Sequence, residues 1–141
     1  MTGVEIDFVV EDSLAALKLY EQIFEVQRIE VTEFPKGKNE AVFTIYGVRF
    51  HMMDENPEYK MIAPDPESIR SVWFNITVPD IETVHKVAIG AGCREIQSVI
   101  DMPEQGLSNS VFKDPNGYLW ILRQVHREVS FEERVQLWEH K

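Results

Sequence analysis

The order strand, acidic residue, helix occurs twice in this chain, and it constrains the fold more than any other feature. Val10-Glu11-Asp12 leads into one helical pattern and Val78-Pro79-Asp80 into another, at an offset of roughly 68 residues. That spacing is too long for a solenoid unit and suits two copies of one module. A second signal, Asp114-Pro115-Asn116-Gly117, marks a tight reversal between two apolar strands. Asp114 can cap its own backbone, Pro115 presets φ, and Asn116 with Gly117 tolerates positive φ.

Within the first copy, Val4 to Val10 alternates, with Ile6, Phe8 and Val10 on one face and Glu5, Asp7 and Val9 on the other. Asp12 or Ser13 then caps a helix carrying Leu14, Leu17, Tyr20, Ile23 and Phe24, which ends near Glu25. Strands follow at Val26 to Phe34, Glu40 to Tyr46 and Val48 to Asp54, separated by Pro35-Lys36-Gly37 and by Gly47. Residues 56–70 hold Pro57, Pro64 and Pro66 without apolar periodicity and read as a linker. The pattern then restarts with a strand at Val72 to Val78 and a helix carrying Ile81, Val84, Val87, Ala88 and Ala91 behind Asp80. Strands at Arg94 to Ile100, Leu107 to Lys113 and Tyr118 to Val125 complete it. Ser130, Glu132 and Glu133 open a short amphipathic helix over about 130–139 whose Phe131, Val135 and Trp138 stripe is expected to dock on the core.

The expected fold is therefore α+β: two βαβββ modules, about 1–55 and 71–127, forming a curved mixed sheet around a cup, plus a C-terminal helix, in a single domain over 1–141. At 141 residues the chain can bury a sizeable core without staples. Its single cysteine, Cys93, allows no internal disulfide and is expected to be buried and structural. With no charged and apolar leader and no apolar run of about 18 residues, the expected location is the cytoplasm, with no membrane partner. Twenty-four acidic against fourteen basic residues give a formal charge of −10, which repels phosphate backbones and argues against nucleic acid.

Strand alternation turns Ile6, Phe8, Val48, Phe50, Met52, Phe74, Ile76, Trp120 and Leu122 toward the helices. It turns Glu5, Asp7, Arg49, His51, Met53, Trp73, Asn75, Thr77, Leu119, Ile121 and Arg123 toward the cup. Apolar walls with a few convergent polar groups suit a small-molecule ligand. His51 is the best catalytic candidate, because an imidazole ordinarily titrates at about 6.5. Glu5 and Asp7 either contact the ligand or pair with Arg49 or Arg123; Trp73 either stacks on a planar ligand or plugs the core. His85, His126 and His140 show no ligand spacing, and the sequence shows neither a phosphate-cradling glycine loop nor a Ser, His, Asp arrangement. Kinase, hydrolase and dinucleotide chemistry are accordingly disfavoured.

Two βαβββ modules, an acidic residue starting each helix, the Lys113-Asp114-Pro115-Asn116-Gly117 turn before the last strand, and Ala91-Gly92 closing the second helix together resemble the vicinal oxygen chelate superfamily. That group includes glyoxalase I, extradiol dioxygenases, and fosfomycin and bleomycin resistance proteins. Met53-Asp54-Glu55-Asn56-Pro57 and the acidic C-terminal helix resemble its PhnB-like branch. The resemblance implies a homodimer and, in metal-using members, a divalent ion held from the first, fourth, fifth and eighth strands. Those positions correspond here to Glu5, to Arg49, His51 or Met53, to Trp73, and to Ile121. Only Glu5 and His51 could ligate, whereas a catalytic ion needs about three protein ligands and an open position. The leading expectation is a small-molecule-binding dimer with no cofactor and no metal. The alternative is a metal-dependent lyase, isomerase or dioxygenase using Glu5 and His51, with Asp7 as a further ligand. A third reading is metal-free proton transfer by His51 with Arg49 or Arg123 stabilising an anion.

Overall fold

In the computed structural model, which describes residues 2–68 and 71–140, the duplicated pattern becomes two βαβββ modules followed by a helix. The first comprises β1 (Ile6–Val10), α1 (Ser13–Ile23), β2 (Val26–Val31), β3 (Glu40–Ile45) and β4 (Val48–Asp54). The second comprises β5 (Phe74–Thr77), α2 (Ile81–Gly90), β6 (Arg94–Met102), β7 (Leu107–Lys113) and β8 (Leu119–Val125), and α3 (Phe131–Glu139) follows. Each module builds a four-stranded mixed sheet, ordered β1-β4-β3-β2 and β5-β8-β7-β6. In both, the first strand runs parallel to the last, and the others pair antiparallel. The chain divides into two compact units along the same boundary, with the turn Pro115–Gly117 counted in the first. No helix among the described residues is long and apolar enough to cross a membrane.

The duplicated aspartates do what their positions predict. Asp12 accepts the Ala15 N–H at 3.1 Å and Asp80 the Thr83 N–H at 3.3 Å, each satisfying a backbone donor that the first helical turn leaves open. A second side chain serves each helix start from the last strand of its module. Asp54 accepts the Ser13 N–H at 2.7 Å, and Gln124 accepts the Ile81 N–H at 2.9 Å. Asp54 is buried and also accepts from Gly37 at 2.8 Å and Asn39 at 2.9 Å. Burial pushes its carboxyl pKa up, but the backbone donors of Ser13, Asn39 and Gly37 outweigh that and leave it below the ordinary value.

Aromatic rings fill the core of each module. In module one, the rings of Phe8, Tyr20, Phe43 and Phe50 meet at centroid distances of 5.7 to 6.5 Å, with cross-strand partners Phe43 and Phe50 stacked. Module two repeats the stack with cross-strand partners Phe112 and Trp120 at 6.3 Å, and sets Phe74 at 4.7 Å from Trp120. Buried Asp114 ties the last turn to this core, accepting the Tyr118 N–H at 3.1 Å and the Trp120 Nε1–H at 2.8 Å.

Several expectations need correction. Ile6 and Val48, expected under the helix, are the first residues of β1 and β4 and are 38% and 53% exposed. Phe8, Phe50, Met52, Phe74, Trp120 and Leu122 are buried as alternation predicts. β2 stops at Val31 rather than Phe34, since the Asn39 side chain takes the Thr32 hydroxyl at 2.9 Å and both polar groups of the Phe34 backbone at 2.7 Å. β5 begins at Phe74 and leaves Val72 and Trp73 outside it. The linker is not featureless: it holds a single 3-10 turn at Pro57–Tyr59 and a bridge between Asn56 and Met61, while positions 69 and 70 lie outside the described residues. α3 is capped by Ser130 as predicted, but its stripe is not docked. Phe131 and Trp138 are 70% and 68% exposed, and no residue of the helix is buried.

Candidate functional site

The parallel pairing of β1 with β4 sets Asp7 beside His51 and Val9 beside Met53, on the face of the sheet away from α1. Glu5 immediately precedes β1 on the same face. His51 Nδ1 lies 3.3 Å from Glu5 Oε1 and 3.5 Å from Asp7 Oδ2. Its Nε2 is buried without a hydrogen bond, 3.6 Å from Glu40 Oε1, and the side chain as a whole is 19% exposed. Arg49 Nε donates to Glu5 Oε2 at 2.7 Å. That bond is the main reason the Glu5 carboxyl is held below the ordinary carboxylate value, with desolvation opposing it and Asp7 reinforcing it. The imidazole thus stands among three carboxylates, of which Glu5 is paired with the Arg49 guanidinium.

One ligand atom each from Glu5, Asp7 and His51 lies within 4.8 Å of the others. Two carboxylate oxygens and an imidazole nitrogen suit a divalent transition ion, and three protein donors leave positions open. This donor set comes wholly from module one. Met53, opposite Glu40 and half-buried, borders it on the same face.

Register settles which residues of module two stand at the equivalent places. Ile6 pairs with Phe50 and Asp7 with His51; Phe74 pairs with Trp120 and Asn75 with Ile121. Trp73 therefore stands where Glu5 does, Asn75 for Asp7, Ile121 for His51 and Arg123 for Met53. Of the three fourth-strand candidates, His51 is the one equivalent to Ile121. Trp73 is 44% exposed, Asn75 is exposed and Ile121 half-buried. Arg123 donates to the Thr77 hydroxyl at 3.3 and 3.2 Å. Module two has the same scaffold as module one without its donors.

Two groupings were missed in the sequence. Glu40 reaches His51, and counting back through the two-residue turn after Ile45 would have placed it on that face. Ser108 donates to Asp101, its partner in the β6–β7 register, at 2.5 Å, and lies 2.8 Å from Nε2 of His126, which follows β8. This grouping is not a hydrolase triad, because the carboxylate sits on the serine instead of orienting the histidine, and Ser108 is buried. His85 Nε2 lies 2.8 Å from Glu95. Cys93 is buried, which, with a smaller push from Asp114, drives its thiol pKa up to about 12.

Paired βαβββ modules with a polar cluster on the open face of one sheet define a class before they define a relative. Residues 4–122 match the model of the Glyoxalase/Bleomycin resistance protein/Dioxygenase superfamily, and the chain belongs to that superfamily. The structure is similar to that of a genomically encoded fosfomycin resistance protein, FosX, from Listeria monocytogenes, at 14% identity over 95% of this chain and 98% of that one, with a TM-score of 0.68. It is similar to TioX from Micromonospora sp. ML1, at 14% identity over 92% and 100% of the two chains, with a TM-score of 0.63. A glyoxalase/bleomycin resistance protein/dioxygenase family enzyme from Burkholderia phytofirmans PsJN matches at 17% identity over 86% and 96%, with a TM-score of 0.67. At these identities the likeness is one of fold. No curated protein matches the chain significantly.

Proposed function

We propose that the chain is a metal-free, small-molecule-binding member of the superfamily, of the PhnB-like branch, acting as a cytoplasmic homodimer. One observation carries this reading: Glu5, Asp7 and Glu40 surround the His51 ring, and among the described residues the one Arg or Lys that pairs with any of them is Arg49, on Glu5. Such a face favours a ligand with a cationic group, with Val9 and Met53 offering apolar contact beside it. Trp73, Asn75 and Ile121 are candidate ligand contacts on the second sheet. Dimerisation is supported by edges: β1 and β2 end one sheet and β5 and β6 the other, and a second chain protects strands that have only one neighbour in their sheet.

Calorimetric titration with small quaternary ammonium compounds tests the binding, and light scattering after gel filtration tests the dimer. Saturable binding that weakens at least tenfold in Asp7→Asn is the expected result. Failure of every cation to bind, or equal binding by wild type and Asp7→Asn, would overturn it.

The convergence of Glu5, Asp7 and His51 favours a second reading, a metal-dependent lyase, isomerase or dioxygenase. These three residues would hold the ion, which would supply Lewis-acid polarisation of a bound oxygen. The Listeria FosX has been solved with Mn(II) and sulfate. Titration with Mn(II) decides between the readings: stoichiometric binding lost in both Glu5→Gln and His51→Ala selects the metal enzyme.

A further inference from the structure

The second module holds a cavity of about 580 Å³ where the start of β7 and the end of β8 meet the start of α3. Leu107 and Val125, cross-strand partners on the open face, give it an apolar floor. Arg123 from β8, Arg127 from the following segment, and Ser130 with Arg134 at the start of α3 rise around it. In a chain with 24 acidic and 14 basic side chains, three arginines on one cavity are unexpected.

Their individual contacts hold these guanidiniums in place while leaving charge to spare. Arg123 bonds only the Thr77 hydroxyl, its register partner, and forms no ion pair among the described residues. Thr77 orients the guanidinium without neutralising it. Arg127 is held by the carbonyls of Pro103 and Glu104, both at 3.2 Å, and is 4.0 Å from Glu133 Oε2. Arg134 lies over the Phe131 ring at 5.9 Å. Glu128 and Glu133 also line the cavity, so two carboxylates stand against three guanidiniums.

We infer that this cavity is a binding site for a small organic oxyanion, a carboxylate or phosphate ester whose apolar body lies on Leu107 and Val125 and whose charged end meets Arg123 and Arg134. A guanidinium presents paired N–H donors that match both oxyanions, and the apolar floor selects an organic body over a bare ion. The residues that line the site all belong to the second module, and it prefers a charge opposite to that favoured by the carboxylates of the first sheet.

Calorimetry at low salt with benzoate, phenyl phosphate and inorganic phosphate tests the inference, in wild type, Arg123→Gln, Arg134→Gln and His51→Ala. One organic probe is expected to bind once per chain, with affinity falling at least tenfold in Arg123→Gln, falling in Arg134→Gln, and unchanged in His51→Ala. Tighter binding of benzoate identifies a carboxylate site and tighter binding of phenyl phosphate a phosphate-ester site; either upholds the inference. Arg134 is on an exposed helix, so its variant reports on binding even where loss of the Arg123–Thr77 bond disturbs β8. No saturable binding of either organic probe, affinities equal in wild type and both arginine variants, or inorganic phosphate binding as tightly as phenyl phosphate would overturn it.

Discussion

Asp54 shows how much one side chain can hold. Its two oxygens accept three backbone N–H groups, joining the start of α1 to the loop before β3. Asp54→Ala strands those donors around a buried site, and a loss of about 3 kcal/mol in urea denaturation is expected. The pH dependence has a definite sign. The folded pKa is lowered, so the stabilisation is complete above the ordinary value of 3.8 and disappears as pH falls through the lower folded value. The stability gap between wild type and Asp54→Asn should be flat from about pH 5 to 7 and close below pH 3.8; a constant gap down to pH 2 would refute the assignment. Cys93 gives a second test. With its thiol pKa raised to about 12 and its side chain buried, iodoacetamide at pH 8 should label it only in denaturant. Labelling of the native protein at the rate of a free thiol would place it at the surface instead.

Turns fix the elements, and two glycines do so for different reasons. The β3–β4 hairpin reverses through Tyr46 and Gly47, at φ 46° and 84°, the positive pair that a two-residue turn of matching twist needs. Tyr46 tolerates this with its N–H on the Glu25 carbonyl at 3.1 Å and its ring against Phe24. A Cβ at Gly47 meets open space, so Gly47→Ala should cost only backbone strain, about 1 kcal/mol. A Cβ at Gly106, at φ 68°, would lie 2.6 Å from the Arg127 carbonyl oxygen. Gly106→Ala should therefore cost clearly more, about 3 kcal/mol, since backbone must move. Equal losses in thermal melts of the two variants would show that the segment after β8 yields freely. The turn at Gly47, and the aspartates that cap α1 and α2, were legible because local residue chemistry dictates them, whereas the turn at Gly106 was not read. The end of β2 was not, because bonds from the side chain of Asn39 set it; nor was the exposure of α3, because a stripe shows which side is apolar and not what it meets. Alternation alone brought Glu5, Asp7 and His51 to one face. The contact of Ser108 with Asp101 stayed hidden, since two register shifts lie in the β6–β7 ladder that joins them.

Across the whole chain, duplication preserved a scaffold and let its surfaces diverge. The register of Asp7 on His51 recurs as Asn75 on Ile121, the stack of Phe43 on Phe50 as Phe112 on Trp120, and the support of α1 by Asp54 as that of α2 by Gln124. The faces away from the helices differ in chemistry: module one has carboxylates around an imidazole, and module two has Trp73, Ile121 and Arg123, which forms no ion pair among the described residues. Helix-facing residues are held by packing, whereas Glu5 and Arg49 form a half-exposed pair of the kind worth about 1 kcal/mol or less. The polar cluster is thus a poor candidate for a structural necessity. A direct consequence is that Glu5→Trp with His51→Ile, which gives module one the residues that module two uses at the same positions, should leave the fold intact. Thermal melting of the double variant should stay within a few degrees of wild type. Cation or Mn(II) binding should vanish in the same protein, while phenyl phosphate or benzoate binding at the Arg123 cavity persists. Collapse of the fold in this variant would make Glu5 and His51 structural, and retention of cation binding would move the ligand away from the first sheet.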